Sequence, residues 1–271
     1  MNIKDNTHAG KYKIGFALSG GGIKGLCHAG VLKALEEYNI FPDIISGVSA
    51  GAVVGALYAD GYSPGEIAEM FQDISFRKMT SIHIPEGGLF RMNAFESFLG
   101  KTLRAKTFEE LKIPLRIVAT DLDKGITKIF DKGKLLQPIL ASCSVPLLFK
   151  PRNIDNVNYV DGGVLKNFPV STIRYDCEQV IGINASPLVA DEYKLTLLNV
   201  ASRTYHFMFK ANIIADKEMC DFLIEPVDMG NYDTFDTDKA REIYELGYSS
   251  TMELLKSGIK NKKNVFDIPI S

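Results

Sequence analysis

The chain has 271 residues, 46% of them hydrophobic and 24% charged, with a formal net charge of −2. That balance suits a soluble globular protein with a sizeable core, excludes a disordered chain, and gives no basic surface for nucleic acid. The four cysteines, Cys27, Cys143, Cys177 and Cys220, lack any Cys-x-x-Cys spacing, so neither a disulfide framework nor a zinc site is indicated, and they read as reduced, buried thiols.

Residues 1–12 form a polar leader without the apolar centre of a secretory signal, which makes the cytoplasm the default location. The uncharged run from Ile44 has many small residues and is shorter than a bilayer span of roughly 20 apolar residues. Residues 13–258 read as one α/β domain and 259–271 as a charged, interrupted tail. No internal repeat or low-complexity linker divides them.

Lys13 to Leu18 is a short apolar strand that runs into Ser19-Gly20-Gly21-Gly22-Ile23-Lys24-Gly25, after which Leu26, Gly30, Val31, Ala34 and Leu35 keep a helical period. Strand, glycine loop and helix follow one another, leaving uncovered N–H groups at a helix start where an anion or a developing oxyanion can sit. Gly20-x-Gly22-x-x-Gly25 also matches a dinucleotide fingerprint, with Asp43 near the place of a ribose-binding acid. Asp43 precedes the second apolar run instead of ending it, which favours the oxyanion reading.

That second run, Ile44 to Val54, contains Gly47-Val48-Ser49-Ala50-Gly51. Gly-x-Ser-x-Gly between a strand and a helix forms a sharp elbow that thrusts the serine hydroxyl outward, and small neighbours at Gly47 and Gly51 make the turn passable. Ser49 is the candidate nucleophile, with a helix dipole starting at Ala50 to favour negative charge beside it. The alternative is an inert, closely packed turn.

Ser63-Pro64-Gly65-Glu66 is a capping box opening a helix to about Gln72. From Asp73 to Leu99 the pattern loosens into loop and short helix over the site. Thr107 and Glu110 form another capping pair, Leu115 to Thr120 is a strand, and Asp123-Lys124-Gly125 turns into a second strand, Ile126 to Phe130, at a sheet edge. Lys134 to Ser144 is helical in period and stopped by Pro146. Val157 to Val160 is extended and delivers Asp161-Gly162-Gly163. A carboxylate before paired glycines at a strand end can be approached closely by another backbone, so Asp161 is the leading base once Ser49 is the nucleophile, although Asp-Gly is also an ordinary turn. Glu178 to Ala185 reads as a buried strand, Lys194 to Met219 as a long helix, Asp221 to Glu225 as a last strand and Thr237 to Lys256 as a final amphipathic helix.

Taken in order, the triple-glycine loop, the serine elbow and Asp161-Gly162-Gly163 resemble the patatin-like phospholipase family. The likeness extends through Gly88-Leu89, Pro114 to Leu122, Ala141 to Pro146 and Asn167-x-Pro169, most of the chain from Lys13 to Pro226. It implies a three-layer α/β/α sandwich with a mainly parallel sheet, and a Ser-Asp dyad that hydrolyses lipid acyl esters with no metal and no cofactor. Residue by residue, it implies Ser49 as nucleophile, Asp161 as base, and the N–H groups of Gly20, Gly21 and Gly22 as an oxyanion hole, supported by Lys24, Gly25, Gly47, Gly51, Gly162 and Gly163. Lys24 stands where the family commonly has arginine, and Leu147 follows Pro146 where it often has glycine.

The substrate class implies peripheral contact with a membrane; oligomeric state and headgroup preference have no signature in the sequence. An ordinary aspartate titrates at about 3.9, poorly matched to an alcohol, so proximity and the glycine cradle carry the burden. Two rivals stay open on the residues alone. One is an α/β-hydrolase triad of Ser49, Asp161 and His206; the other is a nucleotide- or lipid-binding module with an inert serine.

Overall fold

A computed structural model describes residues 10–72, 81–82, 90–187, 207, 212–232 and 237–257. Its centre is an eight-stranded sheet flanked by helices on both faces. The strands are β1 (Tyr12–Leu18), β2 (Ile44–Val48), β3 (Leu115–Asp121), β4 (Ile126–Phe130), β5 (Arg152–Ile154), β6 (Val157–Asp161), β7 (Cys177–Ile183) and β8 (Phe222–Ile224). β8, β7, β1, β2 and β3 lie side by side and parallel. β4, β6 and β5 complete the sheet in antiparallel pairings.

The parallel strands are short apolar runs because both of their faces are covered. Phe16 and Leu18 of β1 join the larger core, whereas Ala17 of β1 and Ile44 of β2 join a second one with Phe168, Val170, Ile173 and Ile213. Helices α1 (Leu26–Glu37), α2 (Ala50–Ala59), α3 (Pro64–Gln72) and, at the C-terminal end, α7 (Ala240–Lys256) pack on the larger core. α1 and α7 cross closely: a Cβ on Gly30 would meet Tyr244 O at 2.1 Å, and one on Gly247 would meet Cys27 O at 2.4 Å.

Between them come α4 (Asn93–Thr102), α5 (Leu136–Ser142) and one helical turn, α6 (Gly163–Lys166). The capping box that opens α3 forms as expected, with Ser63 N–H donating to Glu66 Oε2 at 2.7 Å and Glu66 N–H donating to Ser63 Oγ at 3.3 Å. The Thr107/Glu110 pair behaves differently. Phe108–Glu110 is a 3-10 turn without a side-chain cap, and Glu110 accepts from Lys106 N–H instead.

α5 is shorter than the periodicity from Lys134 to Ser144 suggested, because the chain leaves the helix at Cys143, well ahead of Pro146. β5 and its hairpin to β6 had no sequence signal strong enough to place. Its turn residues, Asp155 and Asn156, both take positive φ (50° and 65°), as a tight hairpin requires. Of the expected long helix from Lys194 to Met219, residues 212–218 are helical and most of the rest lies outside the described residues, as do Gly88-Leu89, His206, the leader to residue 9 and the tail from residue 258. Cys27 and Cys177 are buried free thiols, while Cys143 and Cys220 are only half-buried.

Candidate active site

The site arises from an unusual splice along β3. β2 pairs with residues 115–118 of β3 in parallel, ending at Val48 against Val118. β6 pairs with the next residues in antiparallel fashion, Asp161 against Ala119. Since β4 occupies the opposite edge over the same residues, β2 and β6 share one edge and run head-on toward each other. Their C-terminal ends therefore meet, and the residues at the two tips are Ser49 and Asp161.

Ser49 stands at φ 52° and ψ −122°, a conformation that side chains rarely adopt, at the N-cap of α2. The surroundings fix it there. Its N–H donates to Ser142 Oγ at 2.8 Å, and that hydroxyl donates to Val118 O at 2.6 Å. Ser142, on α5, thus ties the elbow to β3; no sequence motif singles it out beyond the Ala141 to Pro146 block. The elbow also needs bare backbone. A Cβ on Gly51 would lie 2.4 Å from Leu18 O, and one on Gly47 would lie 2.4 Å from Gly51 O. The hydroxyl of Ser49 makes no capping bond to α2. It lies near enough to the Asp161 carboxyl to act on that group's pKa.

Asp161 is 1% exposed. Its N–H donates to Ser144 O at 2.9 Å, and its Oδ1 accepts from Gly163 N–H at 2.8 Å. Burial raises its pKa from 3.8 to about 7, against the smaller lowering effects of the nearby Ser49 hydroxyl and the Gly163 N–H. The mismatch expected from an ordinary aspartate is thus largely removed. Gly162 packs against β3, where a Cβ would stand 2.3 Å from Val118 O.

The glycine loop leaves β1 at the same sheet edge as the elbow, because β1 and β2 are parallel neighbours. Gly25 packs on Ala50, 2.4 Å from a notional Cβ, and Lys24 lies in the 3-10 turn Gly22–Gly25. Gly20 differs from expectation. Its N–H donates to Asn167 O at 3.1 Å, so that donor is used inside the fold. Among the described residues, no protein acceptor takes the N–H of Gly21 or Gly22. Asn167 is itself 2% exposed, and its N–H donates to Asn212 Oδ1 at 2.8 Å. Asn212 Nδ2 in turn donates to Gly163 O at 3.0 Å, so one helix, 212–218, ties the glycine loop's partner to the Asp161 turn. Asn212 carried no signal in a stretch that read only as an apolar helix stripe.

His28 is fully buried, with Nε2 2.8 Å from Ser19 O, and burial lowers its pKa to about 4. It is a packed histidine behind the loop. Asp43 N–H donates to Ile14 O and its Oδ2 accepts from Ile14 N–H, both at 2.8 Å. That carboxylate thus sits at the start of β2, the end of the sheet opposite the glycine loop, where no ribose on the loop could reach it. Leu147 has φ 70° and is 65% exposed.

Comparison with known proteins agrees with this architecture. Residues 16–173, more than half of the chain, match the model of the family described as patatin-like phospholipase. Human patatin-like phospholipase domain-containing protein 6 is 26% identical over 274 aligned residues, covering 87% of this chain and 20% of that protein, so the chain spans about a fifth of that relative. YqhO of Bacillus subtilis is 29% identical over 67% of this chain and 74% of its own length. Among solved structures, VipD from Legionella pneumophila superposes with a TM-score of 0.52 at 16% identity, over 91% of this chain and 67% of that one, a likeness of fold. The chain belongs to the patatin-like phospholipase family.

Proposed function

We propose that this protein is a lipid acyl hydrolase in which Ser49 and Asp161 act as a metal-free dyad. The observation that carries the proposal is the meeting of two strand tips on one edge of β3, which sets the Ser49 elbow against Asp161, a buried carboxyl whose pKa is raised to about 7. A base poised near neutral pH, close to a hydroxyl on a strained elbow, suits general-base activation of a nucleophile.

In this mechanism Asp161 accepts the Ser49 proton as Oγ attacks the ester carbonyl. The oxyanion is stabilised by the N–H groups of Gly21 and Gly22 and by the N-terminal end of α2. Collapse expels the alcohol, which takes the proton back from Asp161 and leaves an acyl group on Ser49. Water then attacks the acyl-enzyme as Asp161 accepts its proton, and on collapse the Oγ–acyl bond breaks, Asp161 returns the proton to Ser49 Oγ, and the fatty acid departs. Each oxyanion donor in such sites is worth roughly 3 to 4 kcal/mol of barrier, which makes the loop as important as the dyad.

Membership of the family favours a phospholipid or lysophospholipid acyl ester as substrate. The protein would meet it by peripheral contact from the cytoplasm; among the described residues no helix is long and apolar enough to cross a membrane. The test is hydrolysis of p-nitrophenyl butyrate and of a lipid panel by wild type, Ser49→Ala and Asp161→Asn. Both variants are expected to fold and to lose at least a thousandfold in kcat/KM, on the order seen when serine-hydrolase catalytic groups are removed. Full activity in either ends the proposal.

A further inference from the structure

The peptide joining Gly20 to Gly21 is held entirely from its oxygen side. Ser186 Oγ donates to Gly20 O at 3.0 Å, and Ser19 Oγ donates to the same oxygen at 3.1 Å. The Ser19 hydroxyl is itself oriented, since it accepts from Ala185 N–H at 2.9 Å. The preceding peptide is gripped at both ends, with Ser19 O beside His28 Nε2 at 2.8 Å and Gly20 N–H on Asn167 O at 3.1 Å. The loop is thus rigid up to Gly20, and the first N–H that no protein group takes among the described residues is that of Gly21.

A trans peptide is planar, with its N–H pointing opposite to its C=O. Fixing Gly20 O with two hydroxyls therefore fixes the direction of Gly21 N–H. Hydrogen bonds to the carbonyl also polarise the amide and strengthen its N–H as a donor. Ser186 lies just beyond β7 and is close over the loop: a Cβ on Gly21 would stand 2.7 Å from Ser186 Oγ. Its own N–H donates to Asn184 Oδ1 at 3.1 Å, which holds the residue in place independently of its side chain.

We propose that Ser186 is a positioning residue for the oxyanion cradle, its hydroxyl anchoring Gly20 O so that the Gly21 N–H faces the reacting carbonyl oxygen. The proposal rests on the reading of the glycine loop as the cradle of a Ser49–Asp161 hydrolase. Ser186, half-buried, is a better probe than buried Ser19, which also closes the end of the sheet.

The experiment compares wild type, Ser186→Ala and Ser186→Thr by p-nitrophenyl ester kinetics and by backbone amide NMR of the full chain. Ser186→Ala is expected to lower kcat about 5- to 30-fold, as loss of one oriented hydrogen bond does, with KM within about twofold. Ser186→Thr keeps a hydroxyl and is expected to restore kcat. The Gly21 amide resonance is expected to shift in Ser186→Ala, with that of Gly55 in α2 unmoved. An unmoved Gly21 amide, or a shifted amide with wild-type kcat, overturns the proposal; so does a loss of kcat that Ser186→Thr fails to restore. A wild-type protein no more active than Ser49→Ala would instead sink the hydrolase reading, and the proposal with it, while the Gly21 shift would still report the anchor itself.

Discussion

Asp161→Asn should make the protein more stable, by an amount that depends on pH in a defined way. In the folded chain burial raises this carboxyl from 3.8 to about 7, so between those values the folded state holds a proton that the unfolded state has released. A raised carboxyl pKa contributes stability that is fully present below about 3.8 and is lost as pH climbs through about 7. The full span is worth up to about 4 kcal/mol at 1.36 kcal/mol per pKa unit. Asparagine can retain the Gly163 N–H bond on its Oδ1 and carries no charge, so it escapes that loss. Urea unfolding of both proteins at pH 4.5, 6, 7.5 and 9 gives the difference directly. The asparagine variant should gain on wild type by about 1.4 kcal/mol per pH unit from pH 4.5 to about 7, then hold a constant lead. A difference independent of pH would refute the idea that burial has lifted the base.

Other outcomes follow from the same geometry. Because Asp161 must be ionised to accept the Ser49 proton, kcat/KM should rise about tenfold per pH unit below about 7 and level off above it; a plateau reaching down to pH 5 would contradict the assignment. Ser49→Gly should abolish hydrolysis yet raise stability by about 1 kcal/mol, read by thermal unfolding, because the elbow at φ 52° costs a side chain about that much. Leu147→Gly should stabilise by a similar amount, about 1 kcal/mol, by relieving φ 70° at an exposed position; a drop in stability there would mean that the leucine packs in solution. His206→Ala should keep turnover within about threefold of wild type, whereas its loss in a folded variant would install the triad instead.

Glycine and serine spacing made the elbow legible in the sequence, because only tiny residues allow a strand to turn so sharply, and the structure finds backbone oxygens 2.4 Å from notional side chains at both Gly47 and Gly51. The parallel half of the sheet was readable for a related reason: strands covered on both faces are apolar over their buried length, as residues 14–18 of β1 and 180–183 of β7 are. What escaped was anything that depends on distant residues meeting. β5 is three residues long and pairs with β6 across the turn at Asp155 and Asn156. The bond from Gly20 N–H to Asn167 O joins residues far apart in the chain, and no spacing rule could have withdrawn that donor from the cradle. Ser142 and Asn212 act through single hydrogen bonds whose value lies in where β3 and the 212–218 helix place them. The raised pKa of Asp161 is likewise a property of its burial, invisible in an Asp-Gly-Gly tripeptide.

The head-on meeting of β2 and β6 brings Ser49 and Asp161, the proposed nucleophile and base, together on strand tips of one sheet. Sites carried on strands of a scaffold hold their geometry more precisely than sites carried on loops. The Gly163 N–H orients the Asp161 carboxylate, and burial raises its pKa, so orientation and basicity come from separate features of the fold.

Covalent labelling tests the central claim most directly. Wild-type protein incubated with a fluorophosphonate, digested and mapped by mass spectrometry should carry one adduct, on Ser49, at a rate reduced at least a hundredfold in Asp161→Asn, as expected when an activated serine loses its base. An unlabelled Ser49, or labelling equally fast without the Asp161 carboxylate, would contradict the account.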